Sequence, residues 1–275
     1  MPCWIVAAIV SQQESPAHVL DPGRESMIPA IAPLFQGGFA HYRDVLTLAD
    51  DSRPALSGRE FVSSARLEEQ MLRFAPEHAE GDRRALMSQW SKYYFLRLIP
   101  PVLAAGLILN WRLPLDFDEI EVVVGADGLP EAFKLPHAGE RWSTAPANGF
   151  ERFGGLLDDN LLPFIDALRA HRKIAARVLW SNAGNYFEWF MSTLGGLPFP
   201  KPMLAQGFEV LESKLRPDGS RNPLFEPVHY VPQGEGCAPW RQRKLCCIRN
   251  ELGMEMCDNC PLLEEAPADG VAVLD

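Results

Sequence analysis

Four of the chain's six cysteines fall within fifteen residues, as the pair Cys246-Cys247 and then Cys257-Asp258-Asn259-Cys260-Pro261. Thiolates at that density bind a soft metal or form disulfides, and either outcome ties the backbone to itself. Cys257-x-x-Cys260 is a chelating spacing, because two intervening residues let both sulfurs turn toward one ion. The adjacent pair behaves differently. Neighbouring side chains diverge along an extended backbone, so Cys246 and Cys247 serve one small centre only where the chain bends sharply. Asn250, Gly253 and Asn259 are expected to supply that backbone freedom.

Spacing alone does not choose the metal. Structural zinc favours two separated pairs of the C-x-x-C kind, whereas one pair here has no spacer, so zinc and iron–sulfur both stay open. Arg241, Arg243, Lys244 and Arg249 place four positive charges within nine residues of a protein whose net charge is -10. Cations beside a redox centre favour its more negative form and raise its potential, and they also draw in anionic substrates. Cys3 and Cys237, each isolated, read as small buried hydrophobes. No two of the six histidines form a metal-binding pair, and His229, just ahead of the cysteines, reads as a polar strand residue.

The bulk properties exclude whole classes. A chain of 275 residues that is 47% hydrophobic buries an ample core, as one large domain or a domain plus a module. The acidic balance argues against non-specific nucleic-acid binding. No run reaches the roughly 18 apolar residues of a transmembrane segment. The apolar start Met1–Val10 lacks the positive flank of a signal peptide and reads as a buried strand or an unordered start. A cytoplasmic location is therefore expected, where thiols stay reduced and clustered cysteines serve as metal ligands before disulfides.

Periodicity suggests an interrupted helix over Met27–Leu48, a second from just after Ser57 to Phe74, and a third over Asp82–Leu98. Pro100-Pro101 should kink the third helix or start another. Glu119–Val124 and Leu129–Leu135 read as a hairpin around Gly125–Gly128. Helices follow over Gly154–Ala176, Ala175–Leu194 and Met203–Leu215, then a strand over Phe225–Val231 and an irregular module over Gly234–Leu263. The fold class is α+β, mostly helical, with small antiparallel sheets and an irregular C-terminal cysteine-rich module. The expected division is 1–225, 226–263, and an acidic, disordered tail over 264–275.

The run Arg241-Gln242-Arg243-Lys244-Leu245-Cys246-Cys247, nine residues, then Cys257-Asp258-Asn259-Cys260-Pro261 resembles the C-terminal signature of the FhuF-like ferric-siderophore reductases. The spacer is one residue shorter than the family pattern. Upstream, Ser88–Phe95 followed by Pro100-Pro101, and Leu179-Trp180-Ser181-Asn182-Ala183-Gly184-Asn185, look like the family's central motifs. The resemblance implies a [2Fe-2S] cluster held by Cys246, Cys247, Cys257 and Cys260. It implies one-electron reduction of a ferric siderophore in the cytoplasm, with electrons from a protein such as a ferredoxin or flavin reductase. Arg241, Arg243, Lys244 and Arg249 would then tune the cluster or attract substrate, and Trp180, Asn182, Trp189, Trp90 and Lys92 would line a siderophore cleft. The family's upstream domain is related to ATP-using siderophore synthetases, but no phosphate loop or nucleotide fingerprint is present. The competing expectation is a non-enzymatic protein whose four cysteines form a structural zinc or iron–sulfur module that binds siderophore or a partner.

Overall fold

The computed structural model describes residues 27–234 and 236–267. The expectations for Met1–Val10, Cys3, His18 and tail residues 268–275 lie outside the described residues.

The molecule is organised around one helix. Five helices carry labels here: α1 (Ser64–Phe74), α2 (Arg83–Ile108), α3 (Leu162–Arg172), α4 (Ala176–Gly195) and α5 (Lys201–Glu212). Helix α2 runs 26 residues, starting where the Asp82 carboxylate accepts from the Arg84 and Ala85 amides at 2.8 and 3.3 Å. It is buried on nearly every side and packs most extensively against α4. Such a helix is a core element rather than an amphipathic one.

Of the two expected outcomes, Pro100 and Pro101 do not start a second helix: α2 continues through both. Each proline removes one helical hydrogen bond. Both are buried in the packed core, and tertiary packing decides helix persistence more than local propensity does.

Strands β1 (Leu46–Leu48), β5 (Pro130–Leu135), β4 (Glu121–Val124) and β2 (Leu56–Ser57) form a sheet in that spatial order. The pairs β5–β4 and β4–β2 are antiparallel, and β1 lies parallel to β5, with Leu46 opposite Phe133. The β4–β5 hairpin is the one expected, with a bulge at Val123/Val124. Two small antiparallel ribbons complete the β content: β3 (Trp111–Arg112) with β6 (Glu140–Arg141), and β7 (Val228–Val231) with β8 (Trp240–Arg243). The fold is α+β.

Three helical expectations need correction. Met27–Leu48 forms the 3-10 turns Ala32–Leu34 and Gly37–Tyr42 followed by strand β1. The Ser57 helix is capped as expected, with Ser57 Oγ accepting from the Glu60 amide, but it lasts only from Gly58 to Phe61 before α1 begins. The Gly154–Ala176 stretch is a short helical turn, a π turn over Leu157–Leu161, and α3. In that π turn Asn160 is fully buried, accepts from Tyr94 Oη at 2.8 Å and donates to the Leu115 carbonyl at 2.9 Å. A buried amide needs such partners, and the widened turn accompanies them.

Aromatic rings fill the space between α2, α3 and the sheet. Tyr94 stacks on Phe164 with centroids 3.8 Å apart, and Phe61, Trp90, Phe95 and Phe133 close around them. On the opposite side, α4 comes close to the chain leading into β7. A methyl at Gly184 would stand 2.8 Å from the Pro227 side chain. Gly184→Leu should therefore cost about 1–3 kcal/mol in urea unfolding. Gly196→Ala, whose added methyl meets only ordinary contacts, should leave the midpoint unchanged.

Candidate metal centre

Strand β8 is the device that places the cysteines. Alternate side chains of a strand point to opposite faces, and here each face has a separate task. Arg241 and Arg243 point to α4: Arg241 donates to the Asn185 carbonyl at 2.7 Å, to Asn185 Oδ1 at 3.0 Å and to Glu188 Oε2 at 2.5 Å. Arg243 donates to Ser181 Oγ at 3.1 Å and Asn182 Oδ1 at 2.6 Å. These acceptors recur at helical spacing along α4, on one face. Trp240 and Gln242 instead hold the second cysteine loop. Trp240 Nε1 donates to the Asp258 carbonyl at 2.9 Å, and Gln242 Nε2 to the carbonyls of Cys260 and Leu263 at 3.1 and 3.0 Å.

The first cysteine pair is fastened to α2. Ser88 Oγ and Gln89 Nε2 both donate to the Cys247 carbonyl, at 2.8 and 3.0 Å. Asn182 joins the two anchors: its Nδ2 donates to the Ser88 carbonyl at 3.0 Å while its Oδ1 receives Arg243. The sharp bend after the pair occurs at Ile248, at φ 57°, and the loop turns again at Gly253, at φ 69°. Asn250 and Asn259, expected to help, stay out of the left-handed region. A β-branched residue there costs about 1–3 kcal/mol, which the anchored carbonyl on one side and the packing of Ile248 against the core offset.

None of the four thiols is in a disulfide. Cys247 and Cys260 are buried, whereas Cys246 and Cys257 are half-buried. Cys247 Sγ lies 3.4 Å from Cys257 Sγ, and the Ile248 amide donates to Cys246 Sγ at 3.2 Å. Hydrogen bonds from Cys246 and Cys257 hold the Cys247 thiol far below its ordinary range, with help from the charges of Lys92 and Arg243. The donor thiols Cys246 and Cys257 are pushed up by the same bonds and by burial. Among the described residues, no three His, Cys, Asp or Glu side chains converge on a single metal-ion position. Four sulfur donors, one already favouring the thiolate, with buried cations beside them, fit a negatively charged thiolate-ligated centre.

Residues 88–237 match the family described as ferric iron reductase FhuF-like transporter, and residues 243–262 match the FhuF 2Fe-2S C-terminal domain. The chain belongs to this family. Its cofactor is a [2Fe-2S] cluster. The chain is also similar to the ferric siderophore reductase of Escherichia coli (strain K12), 23% identical over 182 residues, which is 66% of this chain and 67% of that protein. The first match begins at Ser88, the residue that grips Cys247, and the second begins at Arg243, the residue that grips Asn182.

The other candidate residues divide by burial. Asn182 and Trp90 have no exposed surface, so neither lines a cleft: Asn182 bridges α2 to the module, and Trp90 donates from Nε1 to the Gly128 carbonyl at 2.9 Å within the core. Trp180 and Trp189 are half-buried against the core. Arg243 and Lys92 are buried, 2% and 4% exposed. Lys244 is exposed and paired with Glu226, and Arg249 sits half-buried in the 3-10 turn Arg249–Leu252. His229 is an exposed β7 residue that meets Gln242 Oε1 at 2.8 Å. Cys237 is exposed rather than buried, because it lies in a surface loop beside Gly234 and Gly236.

The sequence motifs include Ser88, Gln89, Asn185 and Gln242 without assigning them a task, and Glu188 and Trp240 were missed altogether. A signal was available: Ser88, Gln89, Ser91 and Lys92 crowd one stretch of an otherwise apolar helix, and buried polar groups require partners. Asn182→Leu should therefore cost about 1.5–3 kcal/mol, because it strips a charged hydrogen bond from buried Arg243. Guanidinium unfolding of the holo-protein checks this, and Gln206→Leu, remote from the module, provides the comparison.

Proposed function

We propose that this oxidoreductase transfers one electron to the Fe(III) of a ferric siderophore, releasing Fe(II) in the cytoplasm. The observation that carries the reading is the set of four free thiols, fastened to α2 and α4, two buried and two half-buried. A centre held there is insulated on its inner side and within reach of a bulky substrate on its outer side. The likeness to a ferric siderophore reductase supports the choice of substrate.

Cys246, Cys247, Cys257 and Cys260 would hold the [2Fe-2S] cluster, and residues 226–263 would act as its module on a reductase domain formed by the preceding chain. When bound, the cluster supplies electrons one at a time. Ser88, Gln89, Gln242 and Trp240 fix the ligand-bearing backbone from two sides, which limits reorganisation between oxidation states. Arg241 and Lys244 stand at the rim of the module, each already facing a carboxylate. They therefore offer a substrate little free positive charge. The oxygens of hydroxamate and catecholate chelators hold Fe(III) tightly and Fe(II) weakly, so a single electron frees the metal. This reaction needs no general base or nucleophile. The reducing partner would be a protein such as a ferredoxin or flavin reductase.

The test begins with protein purified anaerobically and assayed for iron, acid-labile sulfide and zinc. Iron and sulfide in the amounts of one [2Fe-2S] cluster are expected, with a visible spectrum that bleaches on reduction and returns on adding a ferric siderophore. Zinc without sulfide, or a cluster that stays reduced with every ferric chelate tried, would sink the proposal. Cys257→Ser should lose most of its iron and sulfide, whereas Cys237→Ser should retain both.

A further inference from the structure

Lys92 lies on α2, far in sequence from the cysteines, yet its Nζ approaches Cys257 Sγ to 3.5 Å. The side chain is 4% exposed, and that of Arg243 is 2% exposed. Among the described residues, neither cation forms an ion pair with a carboxylate. The neutral oxygens of Ser181 and Asn182 receive Arg243 Nη2, and its Nε is buried without a hydrogen-bond partner. Of the other cations in the cysteine segment, Arg241 faces Glu188, Lys244 faces Glu226, and Arg249 is only half-buried. A buried charge is retained only when something nearby compensates it. Lys92 has the Cys257 sulfur within reach, and the charge of Arg243 acts on the Cys247 and Cys257 thiols.

We propose that Lys92 and Arg243 are the pair that sets the reduction potential of the cysteine centre, by holding two buried positive charges against it from opposite elements. This inference rests on the reading of a [2Fe-2S] reductase. A cluster with four thiolates carries a formal charge of about -2 oxidised and about -3 reduced. Adding the electron therefore strengthens its attraction to both cations, and the reduced form gains more than the oxidised form. Removing either charge lowers the potential. The donor then loads the cluster less readily, while the cluster passes its electron to Fe(III) with more driving force. Because the pair is buried, salt screens it little, so the potential holds across ionic strengths.

The experiment is a spectroelectrochemical redox titration of the anaerobically purified full chain, beside iron and sulfide assays. Lys92→Met should shift the reduced-to-oxidised ratio at a fixed potential at least tenfold toward the oxidised form, which is about 59 mV for one electron. Lys92→Arg should restore the wild-type value. Arg243→Lys, which keeps the charge and drops the fork of hydrogen bonds, should move the potential less than Lys92→Met. If Lys92→Met loses the cluster, Lys92→Gln and the salt series on the wild type carry the test. A midpoint unchanged in fully loaded Lys92→Met or Lys92→Gln, a shift equally large in Lys92→Arg, or a wild-type potential that follows salt steeply would overturn the inference alone. A chain that holds no redox-active cluster would overturn the reductase reading and this inference with it.

Discussion

The Cys247 carbonyl, gripped by Ser88 and Gln89 of α2, is the contact on which the functional half of the molecule depends. Segment 246–260 contains little regular structure, only one 3-10 turn, so it has no scaffold of its own. Its geometry is borrowed from two core helices. Asn182 makes the loan rigid by bonding at once to Ser88 and to Arg243, which places α2, α4 and β8 in one polar network. Such a network holds its members more firmly than separate pairs do, and here Arg243 Nε alone of its buried side-chain atoms is left without a hydrogen bond.

The strand β8 repeats that logic with the period of a strand. Its two arginines reach down to α4 while Trp240 and Gln242 reach up to the Cys257–Cys260 loop. One four-residue strand thus links the helix layer to the second pair of cysteines. The approach is close enough that Gly184 on α4 leaves no room for a larger side chain against Pro227. Positioning a cluster near the surface demands this rigidity, since a loop of thiols held by sequence-local contacts alone would reorganise with each electron.

Charge is arranged against the protein's overall balance. The chain as a whole carries -10, yet buried Lys92 stands 3.5 Å from Cys257 Sγ and the charge of buried Arg243 acts on the Cys247 and Cys257 thiols. That inversion has a simple origin: a thiolate is the local negative charge, and carboxylates nearby would oppose it. The acids of this region pair instead with the outer cations, Glu188 with Arg241 and Glu226 with Lys244.

The cysteine spacing, the hairpin around Gly125–Gly128 and the extents of α4 and α5 were legible because each rests on local chemistry or periodicity. The uninterrupted α2 was not, because two prolines argue locally for a break and only surrounding packing overrules them. Strand β8 was missed because Trp240–Arg243 shows no alternation of apolar and polar residues: both of its faces are engaged by polar partners. For the site, the sequence by itself determined which four thiols are available and which family signature they make. Only the tertiary structure decided that Asn182 and Trp90 are buried, that Arg241 and Lys244 already face acids, and that Lys92 sits beside Cys257. Burial and pairing arise between residues far apart in the chain, and no pattern of neighbours along a sequence encodes the distance between an α2 lysine and a sulfur 165 residues later.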